Sequence, residues 1–179
     1  MRNICTTLLG GLVITALAGC SAGSTKSPDV SDRIRKDLDQ ASFKDVSVNQ
    51  DRDKGVVTLS GHVASEDAKA QAESIAKADA PGQVIADEIG VVPPYDSSTA
   101  KEVNSDLDKG IDKNLDAALA GAKLKNVDHS VKNGVVTLKG DVNSQTTRAR
   151  AERIASKVPN VQQVVNELEV KNQKATSTK

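Results

Sequence analysis

The chain has 179 residues, 37% of them hydrophobic, with no Trp, one Phe and one Tyr. Any core must be assembled from Val, Ile, Leu and Ala, so each core is small and of limited stability. The 24 basic residues balance 24 acidic ones, and two aromatic rings cannot make a base-stacking platform, so no nucleic-acid partner is expected.

The amino terminus reads as a targeting segment over residues 1–19. Arg2 supplies a positive start, and Leu8 to Ala18 is an apolar run too short to span a bilayer comfortably. Leu17-Ala18-Gly19-Cys20 resembles the bacterial lipobox, which implies cleavage before Cys20 and acylation of that residue. Several acyl chains on one residue give stable membrane anchoring. Ser21 resembles the sorting residue that favours the outer membrane. Cys5 would leave with the signal and Cys20 would carry lipid, so the expected mature chain has no thiol for catalysis, disulfides or metal ligation. Residues 20–28 are small and polar, which suits a flexible tether.

The rest of the chain is a duplication. Gly55 to Gly61 reads GVVTLSG and Gly134 to Gly140 reads GVVTLKG, and from there the match runs on without a gap. Upstream, the first copy has two extra residues in the turn before Gly55. Each copy opens with an amphipathic helix, carrying Ile34 and Leu38 or Ile111, Leu115 and Leu119. A first strand follows, with Val46 and Val48 or Val127, His129 and Val131. Asn133-Gly134 predicts a tight hairpin turn. The second strand sets Val57, Leu59 and Val63, or Val136, Leu138 and Val142, on one face, leaving Thr137 and Lys139 to face outward.

Ser65 and Ser144 stand at helix N-cap positions. The second helix carries an Ala-rich stripe, with Ala72 and Ala76 or Ala151 and Ala155, and a last strand carries Ile85 and Ile89 or Val164 and Leu168. The fold class is therefore α+β: two tandem modules of helix-strand-strand-helix-strand, each a three-stranded mixed sheet packed by two helices. The modules span residues 29–92 and 102–171, joined by a linker over 93–101, with a disordered tail over 172–179.

The run from Asn133 to Gly140, Ala-Glu-Arg-Ile-Ala from Ala151, and Val164 to Val170 resemble the BON family. The likeness covers nearly all of both modules. The first copy departs from it with Asp87 in place of Asn166 and Pro81-Gly82 in place of Asn160-Val161. The resemblance implies an envelope protein that binds phospholipid surfaces and supports outer-membrane integrity, with no enzymatic activity and no cofactor.

The residues themselves offer little chemistry. His62 and His129 fall at non-equivalent places, and no spaced His/Asp/Glu metal cluster is evident. Asn166, between Val164 and Leu168, is expected to be buried and to pin the sheet edge. Charge separates the copies: residues 28–92 hold 8 basic and 13 acidic residues, net −5, while residues 121–158 hold 8 and 3, net +5. Arg148, Arg150, Arg153 and Lys157 of the second copy's later helix are the candidate contacts for anionic phospholipid headgroups. A scaffold or chaperone-like role, with an envelope protein or peptidoglycan as partner, is the competing expectation.

Overall fold

The computed structural model describes residues 26–95, 97–124, 126–170 and 176–178; residues 1–19, expected to be a targeting segment, and Cys20 and Ser21 lie outside them. The first module runs α1 (Ser31–Gln40), β1 (Val46–Asp51), β2 (Val56–Val63), α2 (Glu66–Asp79) and β3 (Val84–Val91). The second runs α3 (Ser97–Gly121), β4 (Asp128–Lys132), β5 (Val135–Lys139), α4 (Gln145–Ala155), β6 (Gln163–Asn166) and β7 (Thr176–Thr178). Strand β2 pairs antiparallel with β1 and parallel with β3, and β5 does the same with β4 and β6. The two modules are thus α+β units of the expected order.

Local chemistry explains the element ends. Asn133 and Gly134 both take positive φ, 47° and 77°, as a two-residue hairpin turn requires. The hydroxyls of Ser65 and Ser144 accept from the amides of Ala68 and Thr147 at 3.2 and 3.1 Å, capping α2 and α4. Gly61 and Gly140 end the repeated motif with φ of 121° and 114°. A Cβ there would lie 2.0 Å from the Asp45 carbonyl oxygen or 2.6 Å from that of Asn126, so only glycine fits where the strand crosses its neighbour.

Each core lies between its sheet and its two helices. Ile34, Leu38, Val57, Leu59, Ala72, Ala76, Ile85 and Ile89 fill the first, and Ile111, Leu115, Leu119, Val136, Leu138, Ala151, Ala155, Val164 and Leu168 the second. Alternation puts the other set on the far face of each sheet, and there the structure departs from the expectation. Val56 and Ala86 of the first sheet cluster with Val135 and Val165 of the second. The modules pack sheet against sheet, and Thr137, expected to face solvent, is 5% exposed. Lys139 is exposed as expected.

Three segment boundaries also differ. Ser97 to residue 101, read as linker, already belongs to α3, whose added length before Ile111 amounts to roughly four turns. That extension carries Asp108, whose carboxylate accepts from the amides of Asn133 and Gly134 at 2.8 and 2.9 Å and so holds the hairpin tip. Thr176–Thr178, read as disordered tail, forms a fourth strand antiparallel to β6. At the other end, Ser27 and Pro28, read as part of the tether, are held against the first module. Ser27 is buried, with its amide 2.8 Å from the Arg52 carbonyl, and Gln50 donates to the Pro28 carbonyl at 2.7 Å. Among the described residues no helix is long and apolar enough to cross a membrane.

Candidate functional site

Helix α4 presents two faces of opposite character. Arg148, Ala151 and Ala155 follow one another at helical spacing on the buried side, and both alanines are fully buried, so the helix lies close to the sheet. Arg148 was expected at the surface beside Arg150. It is instead 6% exposed, because its position belongs to the alanine stripe. Its Nη2 donates to the Asn166 carbonyl at 2.8 Å. Asn166 returns the contact: its Nδ2 donates to the Arg148 carbonyl at 3.2 Å and to Glu152 Oε2 at 2.8 Å, while its Oδ1 accepts from the Leu168 amide at 3.3 Å. Asn166 is buried, as its place between Val164 and Leu168 suggested, and ties β6 to the helix; β6 is not the sheet edge it was expected to be, because β7 pairs beyond it. Burial pulls the Arg148 guanidinium below its ordinary pKa, against the opposing pull of Glu152.

Arg150, Arg153 and Lys157 occupy the opposite side and are exposed. Among the described residues none of the three makes an ion pair. The repeat-equivalent positions of α2 are Gln71, Ser74 and Ala78, so the cationic strip belongs to the second module only. Lys69, the counterpart of Arg148, reaches Gln162 Oε1 at 3.5 Å.

The join between the modules is polar around its apolar centre. Gln163 Nε2 donates to the Ile85 carbonyl at 2.7 Å, and Gln163 Oε1 accepts from the Asp87 amide at 3.0 Å. Asn133 Nδ2 donates to the Glu88 carbonyl at 2.8 Å, Lys132 pairs with Glu88 at 3.4 Å, and Lys54 pairs with Glu169. Glu167 lies among these charges. Burial raises its pKa above the usual 4.5, Lys139 opposes the shift, and Asp51 adds to it.

The two histidines are placed differently. His62 is exposed and lines a cleft of about 500 Å³ between the modules, with Asp108, Lys132 and Asn133. His129 has a side chain only 10% exposed, and its Nε2 stands 3.1 Å from Asp112 Oδ1 and 3.7 Å from Asp116 Oδ1. No spaced His/Asp/Glu metal cluster was evident in the sequence, and the fold brings these three residues together from two elements. The two aspartates at i,i+4 were visible in the sequence, but their meeting with a strand histidine depends on how α3 crosses β4.

The BON domain family model matches residues 27–93 and 99–172. No curated protein matches the chain. Two solved structures of CdsD, a structural protein of the type III secretion system of Chlamydia trachomatis, are similar to it. One, of the C-terminal domain, is 15% identical with a TM-score of 0.32, covering 76% of this chain and 65% of that one. The other is 17% identical with a TM-score of 0.32, covering 78% and 60%. The chain spans less than two thirds of either.

Proposed function

The chain belongs to the BON domain family, and we propose on that premise that it is a lipid-anchored envelope protein, without catalytic activity, whose second module docks on anionic phospholipid. One observation carries this reading. Arg150, Arg153 and Lys157 form an exposed strip that meets no acidic partner among the described residues, and the first module lacks it at the same positions. Each basic side chain near an anionic surface contributes about 1 kcal/mol, so three together supply roughly a hundredfold in affinity. That is weak alone and useful beside an acyl anchor. Cys20 supplies the anchor in this reading, and Ser21 directs it to the periplasmic face of the outer membrane, where the protein supports envelope integrity under osmotic or envelope stress.

The test uses the chain from Ser27 onward, which removes the anchor. It should co-sediment with phosphatidylglycerol vesicles at low salt, release as salt rises, and ignore phosphatidylcholine vesicles. Changing Arg150, Arg153 and Lys157 to Glu should abolish the binding, while Lys69→Glu leaves it intact. Equal binding by the triple variant would refute the lipid reading. The strip would then be assigned to a protein partner, as in a scaffold.

A further inference from the structure

Independently of membrane docking, we propose that Asp112, Asp116 and His129 form a site for a borderline divalent transition metal such as Zn²⁺. One ligand atom from each lies within 4.8 Å of the others. Zinc takes imidazole nitrogen and carboxylate oxygen at about 2.0–2.2 Å, which places neighbouring ligand atoms of a tetrahedron about 3.4 Å apart. The observed separations of 3.1 and 3.7 Å from His129 Nε2 bracket that edge. The ring nitrogen selects against magnesium and calcium, which take oxygen ligands. Three protein ligands leave a position for water, and Asp112 also lines the open cleft beside His62, which gives a hydrated ion a way in.

The repeat supplies a second, separate argument. His129 pairs with Leu138 as Val48 pairs with Leu59, so His129 stands where the first module has a buried valine. Leu124 bonds back to Leu119 as Phe43 does to Leu38, which aligns the two helix ends. By that alignment Asp112 and Asp116 stand where the first module has Ser31 and Arg35. Arg35 there donates to the Val48 carbonyl at 3.2 Å. Three positions that in the first module carry a hydroxyl, a cation and a valine carry metal-ligating groups in the second, and all three converge. A nearly buried imidazole in place of valine costs stability unless its nitrogen is engaged. An ion bound here would fasten α3 to the edge strand β4 and stabilise the second module by mass action.

The experiment titrates Zn²⁺ into the full, tag-free chain in detergent. It follows heat, thermal midpoint and the long-range ¹H–¹⁵N signals of the His129 ring. His129→Gln should lose one equivalent of bound Zn²⁺ and the associated rise in melting temperature. Asp112→Asn and Asp116→Asn, at solvent-accessible positions that leave the core intact, should each weaken binding at least tenfold. His62→Gln should titrate like the parent. Uptake by Cys5 and Cys20 is common to all the chains and cancels in the comparison. A His129→Gln chain that binds as the parent does would overturn the site. So would a His129 ring whose nitrogen signals ignore Zn²⁺, which would identify a plain imidazole–carboxylate pair.

Discussion

The side-chain amide of Gln163, in the second module, closes a pair of hydrogen bonds on the backbone of the first, taking the Asp87 amide at 3.0 Å and giving to the Ile85 carbonyl at 2.7 Å. It thus acts as a short length of strand against the edge of β3. Gln163→Leu should leave two buried backbone groups unsatisfied, at a cost of about 1–3 kcal/mol each if water cannot reach them. Thermal melting measures the loss, and faster amide exchange at Asp87 locates it. Unchanged exchange at Asp87 would show that the amide pair does not protect the edge.

Leu138 is fully buried, and its neighbour Lys139 is exposed. Leu138→Ala is expected to lower stability by about 2–5 kcal/mol, as for other buried leucines. Lys139→Ala should change it little. Chemical denaturation of both variants checks the strand register, since similar shifts would mean the two faces are exchanged.

Arg148 and Arg150 are two residues apart and should behave oppositely. Arg148→Ala removes the donor to the Asn166 carbonyl and empties a packed site, so the second module should melt earlier. Arg150→Ala should leave the melting point within about 0.5 kcal/mol of the parent and act only on vesicle binding. Equal melting of the two variants would contradict the inward placement of Arg148.

Glu167 gives a pH dependence with a definite sign. Its pKa in the folded chain lies above the usual 4.5 because burial disfavours the charged form. The fold therefore binds the proton more tightly than the unfolded chain does. Its contribution is fully present below pH 4.5 and is lost as pH rises through the folded value. Glu167→Gln should remove this decline, so the variant gains relative to the parent as pH rises from 4.5 toward neutrality. Melting curves across that range test it, and parallel curves would exclude Glu167 as the source.

Cys20→Ala should leave an unacylated, uncleaved precursor. Mass spectrometry of envelope fractions reads the outcome directly. In the parent, a mature chain beginning at Cys20 without added lipid mass would remove the anchor from the functional reading.

What was legible in the sequence was what local periodicity carries. Ile34/Leu38 and Val57/Leu59 announce their helix and strand, Ser65 and Ser144 announce caps, and Asn133-Gly134 announces its turn. The partner of a face is a different kind of information. The adjacent valines Val56-Val57 and Val135-Val136 put one apolar side chain on each side of the sheet, which was the available sign that both sides are covered. Arg148 was misplaced because charge outweighed its spacing from Ala151 and Ala155. The Asp112–Asp116–His129 group joins residues from two elements whose crossing no single-element pattern fixes.

The packed sheet faces have one more consequence. Val56 and Val135 are the same position of the repeat, and so are Ala86 and Val165. A contact built from like positions on both sides is self-complementary, the arrangement by which identical subunits meet in an isologous dimer. The chain is in that sense a dimer written as one polypeptide. Either half made alone would present an apolar sheet to water and should pair with its own copy.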